Sequence, residues 1–275
     1  MKLLVTGGSG FLGSELVRQA RDGGWEVSAT YRSQPVEGAV PLDITDEGAV
    51  EALVARICPD VVVHTAYVLS GPALWPITAE GAAVVARACQ RHGARLAYLS
   101  TDLVFDGRRG AYTEADPPRP VIAYGEAKAA AERLVAAACP GALVVRTSLL
   151  LDSSLGLGPQ ETRPLAAARG ELEMGFFSDE LRSPVSVRDL AAALLEAGPR
   201  RELSGPLHLA GADTVDRYEL ARLVCVRHGV DPALLRAALA ADLPDLRPHD
   251  CSLDSSRAAA LLTTRLRGIR EVLAA

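Results

Sequence analysis

Tyr124 and Lys128 stand four residues apart in "AYGEAK" (123–128). On a helix this spacing puts both side chains on one face, so a phenol and an ammonium can serve one site. A phenol is a weak acid at neutral pH, and a neighbouring ammonium favours its ionised form, which suits the pair to moving a proton. Composition sets the lysine apart: of 29 lysines and arginines, Lys2 and Lys128 are the lysines. A compact three-donor head can reach a ribose where a planar guanidinium does so less well. A hydroxyl to bond a substrate oxygen should come from the end of a neighbouring strand. "AYLSTDLVFDG" (97–107) supplies Ser100 and Thr101 there.

A second motif, "LLVTGGSGFLGSELV" (3–17), puts Gly7, Gly10 and Gly13 between a strand and an amphipathic helix. That pattern meets the demands of a pyrophosphate: a tight turn, close backbone approach, close helix packing and a helix N-terminus facing the anion. Gly7, Ser9, Gly10, Phe11, Leu12 and Gly13 are therefore expected to hold a dinucleotide. At the end of the next strand, an NAD-selective site would offer an acid to the ribose. "TYRS" (30–33) offers Arg32 and Ser33 instead, which suits the 2′-phosphate of NADP(H) and leaves NAD(H) as the second choice. "PLDITD" (41–46) follows a short strand, and its Asp43 and Ile44 are candidates for the adenine.

The elements that must position these residues alternate. Strands are expected at 2–6, 26–30, 60–65, 95–100 and 142–147, with helical patterns at 10–22, 46–57, 77–92 and 123–138 between them. This is the order of an α/β, Rossmann-type doubly wound parallel sheet. After Thr147, "SLLLDSSLGLGPQETRP" (148–164) reads as a loop. Residues 1–150 are thus expected to form an NAD(P)-binding domain and 151–275 a smaller C-terminal substrate-binding region, with some interleaving. The latter carries helical patterns at 187–197, 216–228 and 255–262 and a strand at 206–210.

The net charge of −5 and pI near 5.6 give no footprint for nucleic acid or an anionic membrane, so a small-molecule substrate is expected. Five scattered cysteines read as buried thiols in a reducing compartment. With no signal-peptide core and no spanning segment, a cytoplasmic protein is expected. The five histidines lack metal-ligand spacing, and no metal is expected.

Six stretches carry a family resemblance: "VTGGSGFLG" (5–13), "STDLVFDG" (100–107), "YTEADPPRPVIAYGEAKAAAE" (112–132), "VVRTS" (144–148), "SPVSVRDLA" (183–191) and "RPHDCSLD" (247–254). They span nearly the whole chain. The chain looks like an extended short-chain dehydrogenase/reductase, and within that superfamily it resembles the dTDP-4-dehydrorhamnose reductases. The resemblance implies that Thr101, Tyr124 and Lys128 are catalytic. It places Thr65, Ala66 and Tyr67 of "HTAY" (64–67) beside the cofactor, and it implies reduction of a 4-keto group on a nucleotide-linked deoxysugar. Leu103, Arg182 and Arg247 are the substrate candidates.

Leu103 follows Asp102 where related dehydratases have a glutamate, which disfavours dehydration. The sequence also departs from the family pattern. Leu103 replaces an aromatic, Thr78 stands for an asparagine, and the 68–77 segment is short. Two other readings stand beside the reductase: an NADP-binding regulatory subunit resembling the β subunit of methionine adenosyltransferase, and a sugar-nucleotide epimerase. A homodimer through the alanine-rich faces of 77–92 and 123–138 is the expected assembly, if there is one.

Overall fold

The computed structural model describes residues 1–274. In chain order come β1 (Lys2–Thr6), α1 (Phe11–Asp22), β2 (Glu26–Tyr31), β3 (Ala39–Pro41), α2 (Glu47–Ile57), β4 (Val61–His64), a π-turn (Leu74–Glu80), α3 (Gly81–His92) and β5 (Arg95–Thr101). Next are α4 (Ala123–Ala138), β6 (Leu143–Thr147), β7 (Leu150–Leu151), α5 (Pro159–Ala168), β8 (Gly175–Phe177), β9 (Leu181–Arg182), β10 (Val185–Ser186) and α6 (Val187–Ala197). The chain ends with β11 (Gly205–His208), β12 (Val215–Asp216), α7 (Arg217–Arg227), β13 (Arg236–Ala238), α8 (Ser256–Leu261) and α9 (Ile269–Ala274).

A seven-stranded sheet has the order β11-β6-β5-β4-β1-β2-β3, and the pairs β3–β2, β2–β1, β1–β4 and β4–β5 are parallel. From β1 the chain runs outward through β2 and β3, then returns to place β4 on the other side of β1. That reversal is the position at which open α/β sheets bind ligands. Every residue of β4 and β5 is buried, as expected of strands covered on both faces. The fold is a Rossmann-like α/β arrangement. Among the described residues, no helix is long and apolar enough to cross a membrane.

The chain divides into two compact units. The first holds Met1–Thr101, Ala123–Arg146 and Ala191–Leu207; the second holds Asp102–Ile122, Thr147–Leu190 and His208–Ala275. In place of one break near 150, the chain passes between units at 101/102, 122/123, 146/147, 190/191 and 207/208. The physical reason is sheet completion: β11, late in sequence, is the outer neighbour of β6.

In the first unit, α2 starts where the Asp46 side chain accepts from the Ala49 amide at 2.9 Å. The alanines of α3 and α4 that suggested a dimer face are largely consumed inside the unit: Ala82, Ala83, Ala86, Ala88, Ala127, Ala130 and Ala131 are buried. Arg95, 5% exposed at the start of β5, donates to the carbonyls of Gly141, Gly198, Arg200 and Leu203. Four cysteines are buried as expected, but Cys58 is exposed. It ends α2 in a left-handed conformation, φ 48°, at the surface.

The second unit packs β7, α5, α7 and α9 around a core that includes Leu151, Leu165, Phe176, Leu220, Val224 and Ile269. Its α5 begins inside the stretch 148–164 read as loop and runs on to Ala168.

Candidate active site

The turn after β1 is shaped by backbone crowding. Gly7 has φ +77°, and a Cβ there would sit 2.9 Å from the backbone of Ala66; a Cβ on Gly13 would sit 2.2 Å from the Gly7 carbonyl oxygen. Only glycine lets this turn lie so close to the segment after β4 and to the start of α1. The Thr65 hydroxyl ties the two loops by donating to the Thr6 carbonyl at 2.8 Å. No side chain caps α1 at Gly10, so its first amides face outward toward any anion placed there.

A cleft of roughly 240 Å³ opens above this turn. Its wall includes the expected Gly7, Ser9, Gly10, Arg32, Ser33, Ile44, Thr65, Ala66 and Tyr67. Phe11, Leu12 and Gly13 support the turn without lining the cleft, and Leu12 is buried. Asp43 also lies off the wall. Its carboxylate accepts from the Thr45 amide at 2.9 Å and hydroxyl at 2.8 Å, bonds that hold it below the usual carboxylate range.

Thr30, Tyr31, Gln34, Leu42, Val68 and Ile77 line the cleft without having been singled out. Leu42 could have been found by its spacing of two from Ile44. Ile77 could not, because it reaches the wall from the π-turn.

Tyr124 and Lys128 lie on the first turns of α4, and Thr101 is the last residue of β5 at 8% exposure. The Tyr67 and Tyr124 rings are 5.8 Å apart between centroids. Lys128 is 3% exposed, and its Nζ donates to the Leu99 carbonyl at 2.6 Å. The ammonium lies 4.8 Å from the Tyr98 ring centroid and 5.3 Å from that of Tyr67, so two aromatic faces stabilise it where water cannot. Burial still pushes Lys128 down to about 7, with Glu132 pulling the other way.

Beneath this pair, His64 is 1% exposed, bonds Thr6 Oγ1 through Nδ1 at 2.5 Å and stacks on Tyr98. Burial, with help from the Lys128 charge, pushes His64 down to about 3. An unfolded histidine titrates near 6.5. Between those values the unfolded chain holds a proton that the folded chain lacks, so stability should fall with pH through this window, by at most ~1.4 kcal/mol per pH unit. Lys128 acts with the same sign between about 7 and its ordinary 10.5. Urea midpoints at neutral pH and near pH 5 should show a loss for the wild type that His64→Gln reduces; equal losses would remove His64 as the cause.

The second unit holds the substrate candidates. Arg182 is 2% exposed, with Asp102 at 3.7 Å and Glu180 at 3.6 Å, and it donates to the carbonyls of Leu181, Pro248 and His249. Arg247 pairs with Glu180 and lies 5.0 Å over the Phe177 ring, its side chain 36% exposed. Arg217 is 3.8 Å from the same glutamate. Three guanidiniums thus surround the two carboxylates of Asp102 and Glu180, leaving net positive charge. Leu103 lies in the 3-10 turn Asp102–Val104.

The whole chain, residues 1–275, matches the family described as RmlD substrate binding domain. The chain belongs to the RmlD family. A dTDP-4-dehydrorhamnose reductase of Mycobacterium tuberculosis is 37% identical to it over 99% of this chain and 91% of that one. The solved structure of a hypothetical dTDP-4-dehydrorhamnose reductase from Sulfolobus tokodaii is 31% identical, with a TM-score of 0.84 over 97% of each chain. The fold also matches that of a Bacillus anthracis dTDP-4-dehydrorhamnose reductase in complex with NADP, at 24% identity and a TM-score of 0.86 over 99% of this chain and 97% of that one.

Within this RmlD chain, the position where the family pattern suggests asparagine has a definite task. Thr78 is 1% exposed; its hydroxyl accepts from the Val68 amide at 3.1 Å and donates to the Val68 carbonyl at 3.0 Å. It thereby clasps the short segment after β4 to the π-turn and holds Val68 in the cleft wall.

Proposed function

We propose that this protein is an NADPH-dependent reductase of the 4-keto group on a nucleotide-linked deoxysugar, the activity for which its relatives are named. The observation that carries this reading is the buried Lys128 ammonium, set between the Tyr67 and Tyr98 rings one helical turn after Tyr124, in the unit that holds the glycine cradle. The cradle fits a dinucleotide because Gly7 and Gly13 leave no room for side chains where a pyrophosphate must approach. Bound NADPH supplies the hydride.

This chain's residues do the rest. The α1 amides and Ser9 would hold the pyrophosphate, Arg32 and Ser33 the 2′-phosphate, Leu42 and Ile44 the adenine face, and Thr65, Ala66 and Tyr67 the nicotinamide side. Thr101 would donate a hydrogen bond to the substrate carbonyl, and the Tyr124 hydroxyl would deliver its proton to the alkoxide. Lys128 favours the ionised phenol that results and offers its remaining donors to the ribose. In the second unit, the net positive cluster suits a diphosphate. Arg247 is its most accessible member, Arg182 and Arg217 share its Glu180 partner, and Leu103 would give the sugar an apolar neighbour.

The test is NADPH consumption with a panel of dTDP-4-keto-6-deoxysugars, with NADH in parallel. Turnover with NADPH on a nucleotide sugar is expected; silence across the panel with NADPH bound would overturn the reductase. Arg32→Asp should reduce the preference for NADPH over NADH by about tenfold or more, the value of a charge-assisted contact to phosphate. An unchanged preference would remove Arg32 from cofactor selection.

A further inference from the structure

Glu132 follows Lys128 by one helical turn on α4 and is 7% exposed. Its Oε1 accepts from Ser100 Oγ at 2.5 Å and from Arg146 Nε at 3.0 Å, and its Oε2 accepts from Arg146 Nη2 at 2.8 Å. One carboxylate therefore joins α4 to β5 through Ser100 and to β6 through Arg146. Ser100 lies between Leu99, whose carbonyl takes the Lys128 proton donor, and Thr101 at the strand end. We propose that Glu132 is the positioning residue of the Tyr124/Lys128 pair: it anchors the strand end that carries Leu99 and Thr101, and its charge offsets the dry surroundings of the Lys128 ammonium.

The groups around Lys128 leave this task to Glu132. β4 presents His64, held neutral by burial, and the segment after β4 presents the Tyr67 ring. β5 presents Tyr98, whose phenol burial keeps protonated, and α4 presents Tyr124 beside Glu132. Arg146 on β6 balances the glutamate from the side of the carboxylate it binds. The π-turn and α3, which also pack on α4, bring the buried but uncharged Thr78 and Cys89. Glu132 is the carboxylate whose field acts on the ammonium, and it works against burial.

The kinetic consequence rests on the reductase reading, whereas the charge role can be read without turnover. With Lys2 and Lys128 the only lysines, ε-labelled lysine gives two side-chain NMR signals, and Lys2→Arg assigns them. In the wild type, Lys128 should titrate well below a free lysine. Glu132→Gln, which keeps the shape and can still accept from Ser100, should lower that midpoint by roughly one further unit and move the pH optimum of kcat to the acid side. An unchanged midpoint in the folded variant would overturn the charge role, whether or not any nucleotide sugar is turned over.

Should Glu132→Gln fail to fold, Ser100→Ala leaves the Glu132–Arg146 pair intact. It should leave the Lys128 midpoint in place and lower kcat several-fold, the value of about one hydrogen bond's positioning. Wild-type kcat in Ser100→Ala would overturn the anchoring role.

Discussion

Tyr124→Phe should lower kcat by about a thousandfold, within the range typical of a lost general acid, while leaving the dissociation constant for NADPH nearly unchanged. The substitution removes one oxygen and keeps the ring, so the packing against Tyr67 at 5.8 Å persists. The cleft wall does not include Tyr124, so the cofactor should retain its contacts there. Steady-state rates with calorimetric NADPH binding separate the two effects. A kcat within tenfold of the wild type would transfer the proton to another group, whereas lost binding would make Tyr124 a structural part of the cofactor site.

Gly13→Ala should abolish measurable NADPH binding. A methyl there would lie 2.2 Å from the Gly7 carbonyl oxygen and 2.8 Å from the Gly8 Cα, both backbone atoms that cannot rotate away. The turn must open, which costs about 1–3 kcal/mol of stability by overpacking and misplaces the α1 amides. Gly10→Ala is the internal comparison, since the nearest atom to its new methyl would be 3.2 Å away, and its effect should be much smaller. Thermal melts and NADPH titrations of both variants decide the point; equal behaviour would mean that steric crowding at Gly13 does not shape the turn.

The cofactor half of the protein was legible because its signals are local. Three glycines, a strand before them and a helix after them sit within the first twenty-two residues. The same holds for α4, whose span Ala123–Ala138 matches the expected 123–138. α5 was missed because "GLGPQE" reads as a break in the chain. It is a helix start instead: Pro159 occupies the first turn, where its missing amide costs nothing, and the Glu161 side chain accepts from the Gly158 amide at 3.0 Å.

The π-turn at Leu74–Glu80 escaped notice for a different reason. Its register is set by the Thr78 clasp on Val68, a tertiary contact with no local signature. Arg182 read as a substrate candidate because an arginine in a motif gives no sign of its burial, which its neighbours Asp102, Glu180 and three carbonyls decide.

The Arg95 hub bears on how the chain is made. A ribosome delivers β1 to β5 first, yet the carbonyls that receive the Arg95 guanidinium belong to residues 141, 198, 200 and 203. Until Gly141 and β6 emerge, the growing sheet carries a cation at its base with none of its final acceptors and a β5 edge with no neighbour on that side; from then until Leu203 the cation lacks three of its four acceptors and β6 is the open edge. Contacts across such sequence separations form slowly, because a long loop must close before they give anything back. The nascent first unit therefore waits, edge exposed, through the synthesis of Asp102–Ile122 and Thr147–Leu190 of the second, and the pairing of β11 with β6 is the step that ends its exposure to other nascent chains.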